Sequence, residues 1–153
     1  MASSSKFNSM KSDYLKYWRV VRYFIKVKYG LSTEELDMLL FLYSEQYFDN
    51  SKFKEFNNLL GWNRSRFLKL VREGWIEVFR KGQRGIKSIY CLSYKSKRVI
   101  KSIYNKLEGE EIPTSQTSNP MFAKNVSYSD KVYRNMIIEM NKFIKQQQRH
   151  FGK

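Results

Sequence analysis

Four basic side chains fall within nine residues of this sequence: Arg64, Arg66, Lys69 and Arg72. A guanidinium group offers paired donors that fit a guanine edge or a phosphate, and an ammonium group meets phosphate as a point charge. The chemistry on offer is therefore binding, and the acceptor is a polyanion. If this run is a helix in the major groove, its first turn must be free to reach base edges. Asn63 can cap such a helix, Arg64, Ser65 and Arg66 fill its first turn, and Lys69 lies one turn beyond Ser65 and Arg66. Phe67, Leu68 and Val71 are expected to anchor the opposite side. The plainer reading of the same spacing is a solvated basic face on an ordinary helix.

A second basic group follows in Lys81-Gly82-Gln83-Arg84-Gly85, with Lys87 just beyond it. Glycines at both ends let the backbone turn and approach a phosphate closely. Lys81 and Arg84 suit phosphates, and Arg84 also suits a narrow minor groove. Gln83 and Lys87 complete the candidate contacts. A hairpin turn with incidental charges is the plain alternative.

These residues need elements to hold them. Apolar spacing predicts a first helix over about 13–29, capped by Ser12 and stopped at Gly30. A second begins at Ser32 or Thr33, with Glu34, Glu35 and Asp37 in its first turn. A third covers about 51–60, and Gly61-Trp62-Asn63 turns into a fourth over about 64–73. Strands over about 75–80 and 86–93 flank the basic loop 81–85. A fifth helix covers about 95–107, and a sixth, capped by Ser129, about 130–149. The expected fold class is mainly α with a small β-hairpin: a winged helix-turn-helix with N- and C-terminal dimerisation helices. The domain reading is a mobile tail over 1–11, a winged domain over 12–107, a linker over 108–128 and a C-terminal helix over 129–153. The linker contains both prolines and many small polar residues.

The charge pattern agrees with a nucleic-acid reading. The chain of 153 residues carries a formal net charge of +15. Residues 31–50 carry −5, whereas 51–107 carry +12. Charge of this size favours a polyanionic partner. Double-stranded DNA is the expected one, because the charge lies where the helix-turn-helix pattern lies.

Other functions find little support. No paired carboxylates, nucleophile with a partner base, or phosphate-cradling glycine loop stands out, so no enzyme is expected. One cysteine, Cys91, and one histidine, His150, leave neither a disulfide framework nor a metal or cofactor site. Cys91 lies within an apolar strand and reads as an inert thiol. No apolar run approaches the ~20 residues of a membrane span, and the N-terminus lacks a signal-peptide core. The expected setting is the cytoplasm of a bacterial or phage-infected cell, with no membrane partner.

The first and sixth helices carry more apolar surface than a winged domain alone can cover. Trp18, Val21, Ile25, Met136, Met140 and Phe143 are the expected seam of a homodimer. Tyr14, Tyr17, Trp18, Tyr43 and Tyr47 could line a pocket for a small-molecule effector, although aromatic stripes are more often plain core.

Over about Leu31 to Val99 the chain resembles the MarR-type winged-helix transcriptional regulators. Leu31-Ser32-Thr33-Glu34-Glu35-Leu36-Asp37-Met38-Leu39 looks like the family's opening of its second helix. Leu60-Gly61-Trp62-Asn63-Arg64-Ser65-Arg66-Phe67 looks like its lead into the recognition helix, and Gly74-Trp75-Ile76-Glu77-Val78 like the start of its wing. Arg84 falls where a wing arginine is expected, and Cys91-Leu92-Ser93 before a basic helix looks like the wing's exit. The resemblance implies a homodimer on a pseudopalindromic operator, with a small ligand as a further partner. Two alternatives stay open: a phage virion or assembly protein that uses a winged module for protein contacts, and a nonspecific nucleic-acid-binding or replication-initiation protein.

Overall fold

Helix caps set most of the boundaries in this chain. The computed structural model describes residues 14–60 and 64–151. The expected tail 1–11, the cap Ser12, the turn Gly61-Trp62-Asn63 and the side chain of His150 lie outside the described residues. Among the described residues there are six helices: α1 (Tyr14–Tyr29), α2 (Thr33–Tyr43), α3 (Asn50–Leu60), α4 (Arg64–Arg72), α5 (Tyr94–Leu107) and α6 (Tyr128–Phe151). Strands β1 (Ile76–Arg80) and β2 (Ile89–Leu92) stand between α4 and α5, and a 3-10 turn covers Pro120–Phe122. The fold is mainly α with a small two-stranded antiparallel sheet.

The caps explain where the helices start and stop. Ser32 Oγ accepts from the Glu35 N–H at 3.1 Å, and the Glu35 carboxylate accepts from the Ser32 N–H, a reciprocal box that starts α2. Asp49 accepts from the N–H groups of Ser51 and Lys52 and starts α3. Helix α4 stops at Gly74, whose φ of +83° an L side chain rarely adopts. The Trp75 N–H then returns to the Leu70 carbonyl and the Gly74 N–H to that of Val71, which satisfies the last carbonyls. Helix α6 begins earlier than its sequence suggests. Ser127, not Ser129, supplies the cap, accepting from the Asp130 N–H at 3.1 Å.

The chain divides into two compact units, and the boundary falls inside α5. The unit Leu31–Lys101 holds α2, α3, α4 and the hairpin. Its buried side chains include Leu36, Leu39, Leu42, Phe53, Phe67, Leu70, Trp75 and Ile76. Phe67 packs its ring against Phe53 at 4.4 Å and edge-on against Tyr90 at 5.0 Å. These contacts tie α4 to α3 and β2, and full burial of such side chains is worth about 1.5–3 kcal/mol each. Phe48 pairs with Tyr90 through two backbone hydrogen bonds, extending β2 on its outer edge.

The other unit joins the described residues up to Gly30 with those from Ser102 onward. Here α1 groups with α6 and the 3-10 turn, not with the residues that follow it in sequence. Tyr23 stacks on Tyr133 with centroids 3.9 Å apart and donates to Asp130 at 2.5 Å. Burial, and next the Asp130 hydrogen bond, push the Tyr23 phenol up to about 12.

The segment 108–128, expected as a linker, is instead built into this unit. Ile112, Asn119 and Met121 are buried. Asn141 of α6 accepts from the Ile112 N–H and donates to its carbonyl, at 3.0 and 2.9 Å. Asn119 donates to the Pro113 carbonyl and accepts from the Met121 N–H. Two amide side chains thus satisfy a buried irregular backbone, a role that its polar composition does not announce.

Candidate nucleic-acid interface

Helix α4 places its four basic residues on two faces. Phe67 and Leu70 point into the core of the 31–101 unit. Arg66 lies 3.5 Å from the Glu34 carboxylate, and Lys69 donates to the Glu35 carboxylate at 3.2 Å. Glu35 is only 4% exposed, so Lys69 compensates a charge that is almost wholly removed from water. The Glu34 carboxyl is held below its usual range by its own backbone N–H first and by Arg66 as well. Arg66 and Lys69, both expected at the interface, are thus engaged by the acidic start of α2.

Arg64, Ser65 and Arg72 are exposed. Among the described residues, no ion pair is formed by Arg64 or Arg72. The expected anchors need correction. Leu70 is buried in place of Leu68, which is 49% exposed, and Val71 is only partly covered. The inward stripe runs through Phe67 and Leu70, three residues apart, and leaves Leu68 on the outward side between Arg64 and Arg72.

The hairpin adds a second exposed basic surface. Strand β1 pairs with β2 from Ile76 opposite Leu92 to Arg80 opposite Ile89, with an irregularity between Val78 and Arg80. Beyond the buried Ile76, the residues Glu77, Val78, Phe79 and Arg80 are all exposed. The connection is longer than the expected five residues, because β2 starts at Ile89. Within it Gln83 and Ile86 exchange two backbone hydrogen bonds and close a tight turn over Arg84 and Gly85. Gly85 has a φ of +73°, which suits glycine at this turn position. Gly82 is held for a different reason: a Cβ there would sit 2.5 Å from the Ile86 carbonyl oxygen.

Lys81, Gln83 and Arg84, the expected wing residues, are exposed on this turn. Lys87 departs from that reading. Its ammonium donates to Ser51 Oγ at 2.6 Å and ties the hairpin to the start of α3. Of the basic residues opening α5, Lys95 lies over the Trp75 ring at 3.9 Å, while Lys97, Arg98 and Lys101 are exposed. Sequence reading did not single out Arg80, and it placed Leu68 among the buried anchors. Arg80 directly precedes the basic loop, which is a usable signal; the exposure of Leu68 follows only once Leu70 is known to be the buried leucine.

The residues expected at a dimer seam divide in two. Val21 and Ile25 are fully buried within a single chain, packed in the α1–α6 unit, and present no surface to a second copy. Trp18 and Phe143 are partly exposed. Met136, Met140 and Phe143 line an open cleft of about 350 Å³ together with Lys16, Tyr17, Asn135 and Glu139. Tyr17 is therefore on a cleft, whereas Tyr43 and Tyr47 belong to the 31–101 unit. Burial, and next the nearby Glu77, raise the Cys91 thiol above its ordinary range, which favours the unreactive form. No helix among the described residues is long and apolar enough to cross a membrane. Comparison with family models, curated proteins and solved structures returned no match for this chain.

Proposed function

We propose that this chain is a sequence-selective regulator that binds double-stranded DNA as a winged helix-turn-helix. In this reading α4 enters the major groove and the hairpin turn lies along the backbone or minor groove. One observation carries the proposal: α4 keeps Arg64 and Arg72 exposed on its outward side, while its inward side is anchored by Phe67 and Leu70. An anchored helix with an outward cationic face can hold a fixed register on a duplex. Lys81, Arg84 and Arg80 on the hairpin would then meet phosphates, with Gln83 as a neutral donor.

A homodimer completes the proposal, because two copies of α4 about one duplex turn apart would read two half-sites. Trp18, Met136 and Phe143 remain as its seam once the buried Val21, Ile25 and Met140 are removed. The test is duplex binding measured against salt. Contact with ~4–6 phosphates gives a log–log slope of about −4 to −5. Loss of the slope after Arg64, Arg72, Arg80 and Arg84 are replaced by Ala is the expected result. Binding that ignores salt would contradict the proposal.

A second reading has an observation of its own. The Tyr47 and Phe79 rings meet at 4.4 Å in a tilted arrangement, with Tyr47 50% and Phe79 59% exposed, and Val78 and Ile86 of the hairpin are exposed as well. Such a surface suits a protein partner in an assembly. Failure of duplex binding together with a stable complex through this hairpin would favour it.

A further inference from the structure

We infer that Leu68 is a specificity-determining residue that reads the 5-methyl group of thymine. The inference rests on the duplex-binding reading above and names what the central part of α4 would recognise. Singly exposed leucines are ordinary on protein surfaces; the position of this one is what matters. Arg64, Leu68 and Arg72 are spaced by four, so they form one stripe along the helix. All three are exposed, and Leu68 is the apolar centre of an otherwise cationic line.

The stripe is set by what the rest of α4 is already doing. Phe67 and Leu70 occupy the buried face. Arg66 and Lys69 are turned toward Glu34 and Glu35. The outward line that remains spans about 12 Å of helix at 1.5 Å per residue, comparable to the width of the major groove. There each base pair shows a distinct pattern, and the thymine methyl is its one apolar feature. A cation at each end favours the phosphate-lined groove, and a branched aliphatic group between them fits a methyl better than any donor or acceptor. Arg64, near the helix start, is placed for a base edge such as guanine O6 and N7. Arg72, eight residues on, is placed for the backbone. The expected half-site therefore has a required thymine next to the position read by Arg64.

Uracil lacks only the 5-methyl group and tests this directly. Duplexes enriched by the full-length protein from a random pool would be resynthesised with uracil for thymine at one position at a time. Wild-type protein is expected to lose about fourfold in affinity at one thymine of each half-site, the worth of one buried methyl. Leu68→Ala, at an exposed site, is expected to keep the wild-type melting temperature and to bind thymine and uracil duplexes equally. An enriched motif with no uracil-sensitive position, or the same sensitivity in Leu68→Ala, would overturn the role of Leu68 while leaving duplex binding in place. Absence of any enriched motif would overturn sequence-selective binding itself, and the role of Leu68 with it.

Discussion

Two basic stripes run along α4 and have different uses. Arg66 and Lys69 face the acidic start of α2, where Glu34 and Glu35 engage them. Arg64 and Arg72 face outward with Leu68 between them. The four residues are alike in type and lie within nine positions of one another, so composition cannot separate them. Their partners can. Lys69, opposite the buried Glu35, is part of the fold; Arg66 meets Glu34 in an exposed pair, and Arg64 and Arg72 form no ion pair among the described residues. The same distinction holds across the chain. The 31–101 unit has fourteen basic against eight acidic residues, whereas the rest of the chain has fifteen against six. Net charge therefore does not point to the interface; the disposition of individual side chains does.

This contrast between stripes can be broken by substitution. The largest effect is expected on the outer side. Replacing Arg64, Arg72 and Arg84 together by Ala should weaken duplex binding by more than about 100-fold, since each charge-assisted contact is worth ~1–3 kcal/mol. Gel-shift titration and thermal melting of the same variant check it, with melting unchanged. Weak binding accompanied by a large fall in melting temperature would erase the difference between the stripes.

On the inner side the expected loss is of stability. Lys69→Ala leaves Glu35 buried without its cation and should cost about 1.5–3 kcal/mol. Pairing Lys69→Met with Glu35→Gln should restore much of that loss, because an unpaired buried charge is worse than no charge. Chemical denaturation of the single and double variants measures both. Arg66→Ala, by contrast, breaks an exposed pair and should cost no more than about 0.5 kcal/mol.

The hairpin offers a comparable test of shape. Gly82→Ala drives a Cβ into the backbone at Ile86 and Ser88. A cost of about 1–3 kcal/mol is expected, together with weaker duplex binding. Exchange of the Gln83 and Ile86 amides, followed by NMR, would report the loosened turn.

A further expected effect lies outside α4 and tests the other unit. Tyr23 has a folded-state pKa raised from 10.0 to about 12. The unfolded chain therefore releases this proton first. The contribution of Tyr23 to stability is complete below pH 10 and is lost as pH rises toward 12. Tyr23→Phe should flatten that part of the stability curve relative to wild type, as followed by denaturation at a series of alkaline pH values.

The fold was legible where local signals agree. Ser32 is one of the two expected starts of α2, Gly30 and Gly74 mark helix ends, and two glycines bracket the basic turn. All of these act within a few residues. What escaped the sequence depends on distance. Leu68 and Leu70 are equally apolar, and only the packing of Phe67 on Phe53 and Tyr90 fixes which leucine is buried. Lys69 and Glu35 are thirty-four residues apart, and no periodic pattern links them. Lys87 reads as a wing residue until Ser51 is found beside it. The 108–128 segment resembles a linker because its buried amides, Asn119 and Asn141, are polar residues doing core work by hydrogen bonding. The expected cap is Ser129, and the hydrogen bond from the Asp130 N–H shows that Ser127 fills that place.

The central claim is that α4 reads duplex DNA with its outer stripe. The most direct measurement is selection of bound duplexes from a random pool, run in parallel with wild type, Arg64→Ala/Arg72→Ala and Arg66→Ala. A single enriched motif for wild type, retained by Arg66→Ala and lost by the outer-stripe variant, is the expected result. No enriched motif for wild type, or one that survives Arg64→Ala/Arg72→Ala unchanged, would contradict it.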